Sequence, residues 1–256
     1  MIEEVRHRLR IYRLETLTEL RRLVRSPIFL GLTVVSPLVF YIILKLVLGS
    51  QIAYGNTLAH TYMLATYGTF GVAGISLGAV GLTIASERAF GFLTLKRASP
   101  MPPEAMLVAK LAVGLLMNVA FVGLLFGLGI AIGGAALSPG QWLSLGGLLV
   151  AGTFPFAAFG FAIGYMARDT RSIAGLTNLL HLPLSFIAGL WFPLNMLPPF
   201  FQDIAPYLPH YHLAQLGLGV IGASYGGSPW IHAAVLMGYS VVFVGLAIAG
   251  YKRYRL

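Results

Sequence analysis

The sequence predicts an all-α polytopic membrane protein with six transmembrane helices. An N-terminal amphipathic interfacial helix, a short helix in the first inner loop and a re-entrant outer helical hairpin before the last span complete it. Three observations lead there. Apolar residues make up 57% of the 256-residue chain and charged residues 10%, against roughly 45–50% and about 25% in soluble domains. At about 20 apolar residues per spanning helix there is room for about six spans and no separate soluble domain. The cations also lie on one side. In a six-span reading Arg6, Arg8, Arg10, Arg13, Arg21, Arg22, Arg25, Arg88, Lys96, Arg97, Lys110, Arg168, Arg171, Lys252, Arg253 and Arg255 share a side, 16 of the 17, and only Lys45 is opposite. The positive-inside rule then makes both termini cytoplasmic, and the +9 net charge reads as a membrane signal with no nucleic acid implied.

Residues 1–26 carry seven Arg and four Glu around Val5, Leu9, Tyr12, Leu20 and Leu23, which fits an amphipathic helix on the inner leaflet rather than a cleaved signal. Residues 27–251 form the membrane domain, with spans at about 27–48, 60–86, 107–132, 142–166, 173–191 and 230–251. Pro37 is expected to kink the first span and Pro155 the fourth. The second has a weakly polar stripe (Tyr62, Thr66, Thr69, Ala73, Ser76 and Thr83) and close-approach glycines at Gly71, Gly74, Gly78 and Gly81. Gly123 and Gly127 of the third span, and Gly160 and Gly164 of the fourth, are read as packing positions. The fifth places Asn178, His181 and Ser185 on one face, toward the bundle interior. Region 192–222 holds Pro193, Pro198, Pro199, Pro206 and Pro209, too many for one spanning helix, so two short pieces should dip into the outer interface. Trp191, Tyr207 and Tyr211 suit the headgroup level there. A basic tail, 252–256, ends the chain.

The inner loop, 87–104, sets large hydrophobes among charges: Glu87-Arg88-Ala89-Phe90-Gly91-Phe92-Leu93-Thr94-Leu95-Lys96-Arg97-Ala98-Ser99-Pro100. A mere linker gains nothing from exposed Phe90, Phe92, Leu93 and Leu95, so a covering surface is expected. Cysteine is absent, which removes thiol chemistry. No lysine follows a glycine, so there is no phosphate-binding P-loop. Two GxSxG strings, at Ser76 and Ser224, leave open an intramembrane serine hydrolase of the rhomboid kind, with His232 as the base. A non-transporting membrane assembly factor is the other alternative. His210 and His212 lack an adjacent carboxylate, so hydrogen bonding is expected of them and no metal site is assigned.

The chain resembles the membrane subunits of ABC-2 type exporters. The likeness rests on the basic N-terminus and on the inner loop with Glu87-Arg88, Gly91, Leu93, Leu95 and Ala98-Ser99-Pro100. In the second half it rests on Asn178-Leu179-Leu180-His181-Leu182-Pro183, Gly189-Leu190-Trp191-Phe192-Pro193-Leu194, Leu197-Pro198, Ile204-Ala205-Pro206 and Leu208-Pro209. Phe92 and Thr94 depart from the family pattern, which often has Thr and an acidic residue there. The resemblance implies a permease that is not itself an enzyme, in the plasma (inner) membrane of a prokaryote. It implies a homodimer or a pairing with a paralogous permease, bound to two ATPase subunits that carry ATP and Mg, with no cofactor in this chain. The inner loop would be a coupling helix, with Glu87, Arg88, Phe90, Gly91, Phe92, Leu93, Leu95, Arg97 and Pro100 at the ATPase contact and Arg88, Lys96 and Arg97 at its rim. Spans one, two and five would border a path for an amphipathic drug, lipid or lipid-linked glycan. Its candidate residues are Tyr62, Thr66, Thr69, Ser76, Asn178, His181 and Ser185, with Arg10, Arg21 and Arg22 as an interfacial gate against membrane lipid.

Overall fold

The computed structural model describes residues 2–25, 31–48, 52–54, 57–98, 101–134, 137–166, 170–224 and 226–253. It is helical almost throughout: α1 (Ile2–Val24), α2 (Ser36–Leu48), α3 (Ala59–Leu77), α4 (Thr83–Ala89), α5 (Phe92–Ala98), α6 (Pro103–Leu128), α7 (Pro139–Ala151), α8 (Thr153–Met166), α9 (Thr170–Ile187), α10 (Pro199–Ile204), α11 (Pro209–Val220) and α12 (Pro229–Arg253). The all-α reading needs one amendment. Ile52–Tyr54 and Thr57–Leu58 pair as a small antiparallel hairpin in the loop before α3.

Among the described residues, four helices are long and apolar enough to cross a membrane: Ala59–Ala89, Glu104–Ile132, Pro139–Met166 and Pro229–Arg253. Thr33–Val47 and Gly175–Ile187 are shorter apolar helices at the places expected for spans one and five. Wide π-type turns at Gly31–Val35, Gly78–Leu82 and Gly129–Gly133 lead into or extend α2, α3 and α6.

Ala59–Ala89 is the central column. Of its apolar window 83% is buried, against 11% for the last helix, so the other helices are arranged around it. Glycine lets them come close. A Cβ on Gly160 would lie 3.2 Å from the Leu77 and Ser76 carbonyl oxygens, and one on Gly71 would overlap the Phe121 ring. Gly123 and Gly127, read as packing positions, instead face open space. On α6 they lie away from the column, where nothing crowds a side chain.

The break in the fourth apolar stretch falls at Gly152, between α7 and α8, ahead of Pro155. A proline lacks the N–H that would bond the carbonyl four residues back, so the disturbance lies before the ring. α7 begins earlier than expected because Ser138 and Gln141 cap it reciprocally and Pro139 stands in its first turn. The proline-rich region forms single turns at Leu194–Met196 and Ala205–Tyr207, short α10, and then α11, whose first seven residues are all buried. Tyr211 is therefore packed inside against His212 and His232, while Tyr207 is exposed.

Candidate functional site

Six charged side chains from four helices meet where α1 crosses α4 and α6. Glu15 and Glu19 come from one face of α1, Glu87 from the end of α4, Lys96 from α5 and Lys110 from α6. Lys96 Nζ donates to Glu15 Oε1 at 2.5 Å, Glu87 Oε1 at 2.9 Å and Glu19 Oε1 at 3.3 Å. Lys110 Nζ donates to Glu19 Oε1 at 2.9 Å, Glu87 Oε1 at 3.1 Å and Thr83 Oγ1 at 3.3 Å. Arg22 Nη1, the sixth, donates to Glu87 Oε1 at 2.9 Å, and its guanidinium lies 5.7 Å from the Phe92 ring centre. Glu19, Glu87 and Lys110 are buried. Three cations offset three carboxylates, as burial of charge requires. Burial by itself would pull the Lys96 ammonium down, but Glu15, Glu87 and Glu19 outweigh it and hold its pKa above the ordinary lysine range. It stays charged at physiological pH. A cavity of about 350 Å³ opens beside the cluster, lined in part by Glu19, Arg22, Thr83, Ser86 and Lys110.

This cluster divides the residues expected at the coupling contact. Glu87 points into it. Arg88 turns inward too, its Nη1 donating to the Gly164 and Tyr165 carbonyl oxygens at 3.2 and 3.1 Å, where it caps the end of α8. Leu93 is 1% exposed and packs with Val80, Ile84, Met106 and Ala162. Phe90, Phe92 and Leu95 remain outside, 72%, 45% and 67% exposed. Gly91, at φ +73°, makes the left-handed turn that separates α4 from α5. Lys96 and Arg88, expected at the rim, are thus anchors to the protein's own body. The Arg97 side chain and Pro100 lie outside what the structure describes.

The expected path residues also separate. Tyr62, Thr66, Thr69 and Ser76 are buried on α3, and the three hydroxyls of Thr66, Thr69 and Ser76 bond carbonyls one turn back. Ser76 Oγ also accepts from Asn118 Nδ2 at 2.8 Å, and the same amide donates to Thr153 Oγ1 at 2.9 Å. That knot ties three helices. A groove lies elsewhere, on the glycine side of α3. It encloses about 240 Å³ between Thr33, Ser36 and Pro37, the face Phe70, Gly71, Gly74 and Gly78, and Thr177, Asn178, His181 and Leu182 of α9. His181 stacks on Phe70 with ring centres 4.6 Å apart, and a Cβ on Gly74 would lie 2.8 Å from its Nε2. Asn178 is exposed at the groove, while Ser185, 3.4 Å from His181 Nδ1, is buried behind it. Of the proposed gate, Arg10 and Arg21 are exposed on α1 and Arg22 belongs to the charge cluster.

Glu15, Glu19, Lys110 and Asn118 were not singled out from sequence. Signals existed: Glu15 and Glu19 are one turn apart on α1, Glu19 shares a face with Leu23, and Asn118 is a lone amide in an apolar helix. The hydrolase alternative has no geometric support. Ser224 Oγ donates to Gln215 Oε1 at 3.0 Å, and His232 Nδ1 lies 2.9 Å from His212 Nδ1.

The chain is similar in sequence to known proteins. YvfS of Bacillus subtilis (strain 168), whose name describes a transport permease, is 29% identical over 234 residues, 91% of this chain and 94% of that protein. Nodulation protein J of Rhizobium meliloti (strain 1021) is 31% identical over 136 residues, 50% of each chain. Its namesake in Rhizobium leguminosarum bv. trifolii is 35% identical over 121 residues, 44% of this chain and 46% of that one. The family model described as ABC-2 family transporter protein matches residues 51–249, and the chain belongs to that family.

Proposed function

We propose that this chain is the membrane subunit of an exporter that moves amphipathic or lipid-like molecules out of the cytoplasm or inner leaflet, driven by ATP hydrolysis on a separate subunit. The observation that carries this reading is the two-sided nature of α5. Phe92 and Leu95, with Phe90 just ahead of the helix, present an apolar face outward, while Lys96 of α5 is ionically bound to α1 and α4. An ATPase groove covering the first face would grip a helix that cannot move without pulling on α1 and the central column.

In this reading Thr33–Val47 and Gly175–Ile187 are the cores of spans one and five, both termini are cytoplasmic, and the permease works as a dimer. The groove between Phe70, Gly74, Asn178 and His181 suits an amphipathic substrate, since hydroxyl, amide and imidazole groups stand beside apolar and glycine surface. Substrate reaches it sideways from the inner leaflet, past α1.

The test is whether an ABC ATPase co-purifies with the chain from a host that also expresses the genes neighbouring it, followed by transport in vesicles. Phe90→Asp combined with Leu95→Asp should cut ATPase recovery at least tenfold while the chain still inserts in the membrane. Wild-type recovery and transport with both charges in place would overturn the coupling role.

A further inference from the structure

The groove between α3 and α9 is polar without being charged. Thr33 and Ser36 stand on one flank and Thr177, Asn178 and His181 on the other, while Gly71, Gly74 and Gly78 leave bare backbone between them. Among the described residues that line it, none carries a charge.

Thr177 departs from the other helical hydroxyls. Those of Thr66, Thr69, Ser76, Thr83 and Ser86 each bond the carbonyl one turn back. The Thr177 hydroxyl is buried, on a residue 7% exposed, and bonds nothing among the described residues. A buried hydroxyl without a partner costs free energy that a bound molecule can return. One turn on, His181 is equally buried, with Nδ1 3.4 Å from both His210 Nε2 and Ser185 Oγ. That leaves its Nε2 on the Gly74 side, 2.8 Å from where a Cβ on Gly74 would lie.

Hydroxyl, amide and neutral imidazole all both donate and accept. Their complement is a group that does the same, and a hydroxyl is one. A phosphate or carboxylate would engage only their donors and an ammonium only their acceptors. Either would also bring a charge into a groove that holds no counter-charge. We propose that the groove takes an uncharged head group with several hydroxyls, a sugar or an open-chain polyol, bonded by Thr177, Asn178 and His181. This rests on the groove's place in the transport path and narrows what travels there.

The experiment uses the full-length chain in lipid nanodiscs and four photoreactive probes at submicellar concentration. All share one alkyl tail and carry a diazirine beside the head, which is a glucoside, an open-chain gluconamide, a phosphate or a trimethylammonium. Mass spectrometry locates the labelled residues. The glucoside or the gluconamide should label the groove faces of α3 and α9 at least tenfold more than either charged head, and the ratio of those two separates ring sugar from flexible polyol. Thr177→Val and Asn178→Leu should each cut that labelling at least threefold and leave labelling by the charged probes unchanged. Groove labelling by a charged head as strong as by the neutral ones, or neutral labelling unchanged in both variants, would overturn the head-group assignment and leave the groove in the path. Labelling by no probe would overturn the path as well. The wild-type comparison decides even if a variant fails to fold.

Discussion

Lys110 is the residue on which most depends. Its ammonium is buried with two carboxylates, and removing one partner of a buried ionic group costs about 3–5 kcal/mol, because the remaining charge has no water to return to. Lys110→Met should therefore destabilise the chain by about that much, read as a lowered unfolding temperature in detergent. Adding Glu19→Leu should recover part of the loss, and additive effects would show that the two do not interact. Gly91 gives a finer contrast. At φ +73°, with nothing within 4 Å of the place a Cβ would take, its constraint is purely conformational. Gly91→Asn should retain transport, whereas Gly91→Val, about 1–2 kcal/mol worse in that conformation, should weaken coupling to the ATPase. The inner loop was legible in sequence as an anomaly of hydrophobes among charges. Which of them face outward was not, because Leu93 and Leu95 differ only in the neighbours the fold supplies. Glu19 and Lys110 stand 91 residues apart, and no local periodicity connects them.

At the scale of elements, hydrophobic runs marked where most helices lie, since runs of that length have few other ways to satisfy their backbone in lipid. Ends and breaks were less legible. The Ser138–Gln141 capping box reads directly from the sequence once a helix is assumed, yet the apolar run begins only after it. Ser138→Ala should cost about 1 kcal/mol and fray that end, measurable as faster amide exchange over residues 140–142. Close approach is also an element property. Gly160 meets backbone carbonyls of the central column, which cannot swing aside as a side chain can. Gly160→Val should lower the yield of folded protein sharply. The same change at Gly123, where the side chain meets open space, should leave it near wild type. The glycines look alike in sequence; only the neighbouring helix separates them.

For the whole molecule, burial falls from the central column to the last helix, although both are strongly apolar. Apolar composition marks a helix as fit for lipid without saying how much of it meets protein, so this ordering was hidden until the helices were assembled. The charge cluster adds a constraint of time. Glu15 and Glu19 lie in the first helix of the chain, but Lys96 and Lys110 follow 81 and 91 residues later along the same partnerships. At a synthesis rate of about 5–20 residues per second, the carboxylates wait roughly 4–18 s for their counter-ions. During that interval α1 lacks these partners, and in the proposed reading its outward Leu9, Leu14 and Leu17 are the surface with which it would rest on the inner leaflet. α1 thus finds its place only after α6 has been made, and ribosome stalling before Lys96 should leave it without its counter-ions.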